Sequence, residues 1–260
     1  MKSFEEFKIL EKKNIHPINI KELILKNRRQ ELNYVIDTIE DDTNGDGIPD
    51  KIILLGKDYT GGESNYKTNI YLEIIDGATN KKTTINFPNN EGYNSCLFLA
   101  NFRNLKEKDI LVRITSGGSG DYLFAYIVSF IENQYKIVFD SENYFKKEDY
   151  NGKFKDSYKV ELVSNILKEK YSLDISNKEK DYLNLIYEGE KLKNPMEVNV
   201  SSLNSLIPLN QCNDNIYNLL SFQKLLGINY GDLLGVIESY IKWDNKGFKT
   251  YFQLLGLKGV

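Results

Sequence analysis

Residues 42–56 read DTNGDGIPDKIILLG, and this stretch decides the fold class. Its first nine residues set Asp42, Asn44, Asp46 and Asp50 at positions 1, 3, 5 and 9 of a loop, with Gly47 at position 6. Calcium is a hard cation that takes about six to eight oxygen ligands, and a tightly turned loop supplies them from alternate positions. Ile48 at position 7 adds its backbone carbonyl. The expected ligand set is therefore Asp42, Asn44, Asp46, the Ile48 carbonyl and Asp50, and the expected cofactor is Ca2+. Position 12, where a helix–loop–helix calcium site needs a bidentate Glu, is Ile53. The flanks VIDTIE and KIILLG are strand-like, so a strand enters and a strand leaves. The competing reading is an Asx-rich turn without metal, because Asp, Asn and Gly favour turns on their own account.

Working outward, the rest of the chain repeats this grammar. Short apolar or alternating runs such as NIYLEII (69–75), DILVRIT (109–115), YLFAYIVSFI (122–131) and FKTYFQLL (248–255) are bounded by Gly, Asn, Asp or Pro. Many short strands with little helical periodicity indicate a sandwich, barrel or propeller. Two further nine-residue loops run directly into apolar strands, Asn101–Asp109 before ILVRI and Asn210–Asn218 before LLSFQ. Loop starts at 42, 101 and 210 are 59 and 109 residues apart. The second spacing is close to twice about 55, near the ~40–50 residues of propeller blades. YKVELVS, NILKEK and YSLDIS (158–176) fit a unit that has lost its loop. The expected fold is all-β: a small propeller-like array of about four degenerate units, with a β-sandwich as the alternative. Residues 1–31 form a separate N-terminal segment, with a short helix over Ile20, Leu23 and Ile24, and residues 32–260 form a single β-repeat domain. If the array closes into a ring, Asn33–Ile39 pairs with Phe248–Leu255.

Composition narrows the function classes. The net charge is −3 and Lys is interspersed with carboxylates, so no basic face for nucleic acid is expected. No apolar run reaches transmembrane length. The start of the chain does not read as a signal peptide, since acids stand where the basic region belongs. Cys96 and Cys212 lack metal spacing. His16 is the single histidine, which leaves little for Ser–His, Cys–His or zinc chemistry. SGGSGDY (116–122) has glycines that could present N–H groups to an anion, yet it precedes a strand and reads better as a hairpin turn.

DTNGDGIPDKIILLG resembles the calcium loop and following strand of FG-GAP or VCBS-type repeats, families that build β-propellers in surface and adhesion proteins. The resemblance is weaker at 101–112 and 210–222, where Arg103, Leu105 and Cys212 replace oxygen ligands. Those two loops are expected to bind no calcium and to keep their turns by hydrogen bonds from Asn101, Asp109, Asp214 and Asn218. The resemblance implies a non-enzymatic, calcium-stabilised binding or structural module of a bacterial-type surface, secreted or spore-associated protein; it names no partner, and the expected one is an unknown protein or carbohydrate. The alternative is a glycan hydrolase working through two carboxylates about 5–10 Å apart in a cleft.

Overall fold

Aromatic and β-branched residues suit a pleated, half-buried surface, and here their short runs pair into antiparallel meanders. The computed structural model describes residues 32–58, 64–103, 105–118, 120–147, 149–211 and 215–257. The expected N-terminal helix lies outside the described residues. The first meander is β1 (Leu32–Asp41), β2 (Asp50–Asp58), β3 (Tyr66–Ile75) and β4 (Lys82–Asn86). The second is β5 (Gly92–Ala100), β6 (Asp109–Gly117), β7 (Tyr122–Ile131) and β8 (Gln134–Asp140). A short helix, α1 (Ser141–Phe145), follows, its N-terminus capped by the Asp140 carboxylate. The third meander has three strands, β9 (Tyr150–Lys155), β10 (Lys159–Ser164) and β11 (Glu169–Asp174). Helix α2 (Lys180–Ile186) and the two-residue ladder of β12 (Tyr187–Glu188) and β13 (Lys191–Leu192) come next. After β14 (Glu197–Val200), the last meander is β15 (Ser205–Leu209), β16 (Asn218–Leu226), β17 (Leu233–Trp243) and β18 (Phe248–Gly256).

Two bridges join these meanders into two eight-stranded sheets. Tyr66 and Lys67 of β3 pair with Tyr93 and Gly92 of β5. Strand β14 pairs with β9 on one side and with β16 on the other. The all-β expectation is met, and side-chain alternation decides how the layers stack. Ile110, Val112 and Ile114 of β6 join Ile52, Leu54, Ile70 and Leu72 in one apolar cluster. Leu111, one residue out of phase, joins Leu123, Ala125 and Ile127 on the opposite face, against Leu206, Leu219, Ile241 and Phe248 of the last meander. The second meander is thus a middle layer buried on both faces, which is why its strands read as nearly continuous apolar runs. A third cluster joins Phe154, Val160 and Leu162 to Leu225 and Ile237, capped by Leu183 and Ile186 of α2.

The predicted ring closure is not made. Strand β1 ends the first sheet beside β2, and β18 ends the second beside β17. A register shift between Val35 and Asp37 turns the outer side of β1 towards β5, where Asp37 Oδ2 accepts the Leu97 N–H at 2.9 Å. The first sheet therefore curls towards itself instead of reaching the last strand.

Candidate functional site

In the first loop, Asx geometry organises each expected ligand. The Asp42 carboxylate accepts the N–H groups of Gly45 (2.7 Å) and Gly47 (2.9 Å). Asn44 Oδ1 accepts the Asp46 N–H, and Asp46 Oδ1 accepts the Ile48 N–H. Gly45 and Gly47 have φ of +84° and +86°, a conformation that costs glycine least. Asp50 behaves differently. It is fully buried and accepts from the Thr43 N–H and hydroxyl, Asn44 Nδ2, the Gly77 N–H and the Tyr135 hydroxyl. Asn44 Nδ2 also donates to Asp76 Oδ2 at 2.9 Å. Burial, reinforced by Asp50 and Asp76, pushes the Tyr135 phenol well above its ordinary range.

Three hairpins share one frame. The pairs that close them are Asp41 with Asp50, Ala100 with Asp109, and Leu209 with Asn218. Each encloses eight residues and starts its strand at position 9. The first two loops also share their anchor: Asp50 accepts the N–H of Thr43, and Asp109 accepts the N–H of Phe102, both position 2. The loops touch in series by one repeated contact, a position-8 N–H donating to a position-1 carbonyl. Lys108 donates to Asp42 at 3.0 Å, and Tyr217 donates to Asn101 at 2.8 Å. Pro49 holds position 8 of the first loop and has no N–H, so the series ends there. Cys212 and Asp214 lie outside the described residues.

The loops differ in how they treat charge. Asp109, fully buried like Asp50, receives Arg103 Nε at 2.7 Å and the Ser129 hydroxyl at 2.6 Å. Arg103 also reaches Glu107 at 3.5 Å. Position 3 of the second loop therefore supplies a cation of its own. The groups that meet Asp50 are all neutral. The carboxylates of Asp42, Asp46 and Asp50 point to different partners, and among the described residues no group of three or more His, Cys, Asp or Glu side chains is gathered as a metal site. The oxygen donor set suits calcium chemically. For the five expected ligands to share one ion, Asp50 would have to exchange part of its buried hydrogen bonding. Sequence reasoning did not anticipate Asp76, Tyr135 or the Arg103 pairing. The last was visible as a basic residue six positions before an acid in the same loop frame.

Elsewhere, Gly117 and Gly118, where β6 ends ahead of β7, are at positive φ. A cleft of about 470 Å3 opens between α1, β9 and β16, lined by Glu142, Phe145, Tyr150, Ser201 and Gln223 among others. Burial, with Asp140 nearby, raises the Glu142 carboxyl above its ordinary value. Among the described residues, Glu142 is the one carboxylate on that lining.

The fold defines an all-β protein of stacked antiparallel meanders in which three hairpins share one loop frame. The model of the YybI C-terminal domain matches residues 148–255. The uncharacterized protein YybI of Bacillus subtilis (strain 168) is 34% identical over 226 residues, covering 86% of each chain. The chain belongs to the YybI family. No solved structure matches it. The FG-GAP/VCBS resemblance is therefore corrected, because the relationships found lie with YybI. Fifteen residues of calcium-loop pattern are short enough to arise from turn chemistry on a strand pair, so they carried less than a family.

Proposed function

We propose that the protein is a non-enzymatic binding or structural module whose first loop, Asp42–Asp50, is stabilised by calcium. One observation carries this reading. Two hairpins of the same frame each bury an aspartate at position 9, and only neutral groups meet Asp50 where Arg103 neutralises Asp109. A divalent cation bound by Asp42, Asn44, Asp46, the Ile48 carbonyl and Asp50 would offset the charge gathered there. A weak loop site of this kind fills where free calcium is high, which is the reason to expect a surface, secreted or spore-associated setting. The loop-borne cation replaces nothing chemical: its part is to hold the β1–β2 hairpin against Gly77 and Tyr135.

The test is calorimetry together with thermal melting of the same sample. Calcium binding in the millimolar range or tighter should raise the melting temperature, since a ligand bound only by the folded state adds about 2.7 kcal/mol at one hundred times its Kd. Asp46→Ala should abolish most of that rise. No heat of binding at millimolar calcium would refute the proposal.

A further inference from the structure

Between the second and third apolar clusters, the inner face of the last meander turns polar. Ser221, Ser239 and Gln253 stand in one row across β16, β17 and β18, in direct register. They are 0%, 0% and 2% exposed, and Gln223, next on the same face of β16, is 2% exposed. On one side the next row is apolar, Leu219 paired with Ile241; on the other Gln223 is paired with Ile237, and Leu225 lies one row further. Aliphatic residues in the polar row would merge the two clusters, and burying polar groups costs stability unless hydrogen bonds offset it. These groups are connected: Gln253 Nε2 donates to Tyr150 Oη at 2.7 Å and to Ser239 Oγ at 2.8 Å, and Gln223 Nε2 donates to the Ser201 carbonyl at 2.8 Å. The Tyr150 hydroxyl donates to Gln223 Oε1 at 3.4 Å. Tyr150, Gln223 and Ser201 also line the cleft of about 470 Å3. The polar row is therefore hydrogen-bonded, through Tyr150, to the lining of an open cavity whose size lies in the ~300–1,000 Å3 range of small-molecule sites.

We propose that this cleft binds a neutral polyhydroxylated ligand, a saccharide of one or two rings, with Gln223, Tyr150 and Ser201 as its fixed polar contacts. It rests on the binding-module reading above and names that module's ligand class. Among the described residues the lining carries one acid, Glu142, and one base, Lys146, a balance that favours a neutral ligand, and its remaining polar groups are amides and hydroxyls. Such groups can each donate and accept, as vicinal hydroxyls require. Phe145 and Tyr150 supply apolar surface for the ring faces.

The experiment titrates the full chain with glucose, N-acetylglucosamine, cellobiose and chitobiose while following the side-chain amide resonances of Gln223 and Gln253. At least one sugar should shift both resonances saturably. Tyr150→Phe, which removes one hydroxyl, should weaken that sugar at least tenfold. Ser202→Trp, placed at the exposed rim, should abolish the shifts without entering the core. The absence of a saturable shift with all four sugars overturns the proposal, as does an equal shift with inorganic phosphate or glutamate. Calcium is titrated into the same samples. A chain that answers to calcium and not to sugar keeps the calcium-stabilised module and loses the cleft, and the converse result separates them the other way.

Discussion

At the scale of single residues, buried charge is the organising fact. Asp109 is held by a guanidinium, a serine hydroxyl and a backbone N–H. Removing one partner of a buried pair leaves a stranded charge, at a cost of about 3–5 kcal/mol. Arg103→Ala is expected to lose stability on that order in urea denaturation, and the added change Asp109→Asn should recover part of it. A loss under about 1 kcal/mol for Arg103→Ala would mean that the pair is not a determinant of the loop. Tyr126 gives a second prediction. Burial pushes its phenol up to about 12, with the hydroxyl shared between the N–H and carbonyl of Asn89. An unfolded tyrosine releases its proton near pH 10 while this one keeps it. Stability contributed by the neutral phenol is thus complete below about pH 10 and is lost as pH rises towards 12. The fall of stability over that range should be shallower in Tyr126→Phe, as measured by denaturant midpoints at stepped pH. An unchanged slope would show that Tyr126 titrates in the folded state as it does in water.

At the scale of the element, the hairpin frame is conserved within the chain while its chemistry is not. Eight enclosed residues fix the register: a one-residue slip would turn the Ile52 and Leu54 face of β2 out of the core, and in β6, buried on both faces, it would exchange Ile110 and Val112 with Leu111 between the two clusters. The second loop fills the frame with Arg103, which makes a transplant the natural test. Asn44→Arg places a guanidinium at position 3 of the first loop, beside Asp50 and Asp76. It is expected to raise the melting temperature without calcium and to remove the calcium response, as followed by melting with and without the ion. An Asn44→Arg chain that still gains stability from calcium would show that the two loops solve different problems. Gly77 is the other constraint on this element. A Cβ there would stand 2.1 Å from the Pro49 carbonyl oxygen, so Gly77→Ala should displace the loop and abolish any calcium response.

At the scale of the whole molecule, the layers depend on one another. The family match covers residues 148–255, yet Leu206, Leu219, Ile241 and Phe248 from that part share an apolar cluster with Leu111, Leu123 and Ile127 from the second meander. Cutting between them exposes that cluster on both fragments. Residues 148–260 expressed alone are therefore expected to aggregate or melt lower than the full chain, and mixing with residues 1–147 should restore a complex in size-exclusion chromatography. A monomeric fragment as stable as the full chain would make the C-terminal part an independent domain and overturn the single-domain expectation.

Much of this was legible along the chain. Period-two alternation and turn residues announced the strands, because side chains on a strand must face a core or solvent in turn. The strand starts at Asp50, Asp109 and Asn218 were readable for the same local reason, and so was the continuous apolar character of β6 and β7. Long-range partners were not legible. Nothing local in Asp50 tells that Tyr135 and Gly77 will meet it, because those contacts depend on how the sheets pack. Ring closure failed as an expectation because alternation fixes which face is buried and says nothing about which edge finds which strand. The polar row of Ser221, Ser239 and Gln253 likewise comes from three strands and exists only once their register is set. The sequence by itself determined the strands, their turns and the loop frame, all consequences of short-range sterics and hydrogen bonding. Only the tertiary structure decided the layer order, the partners of the buried aspartates and the cleft, because these depend on contacts between segments distant in the chain.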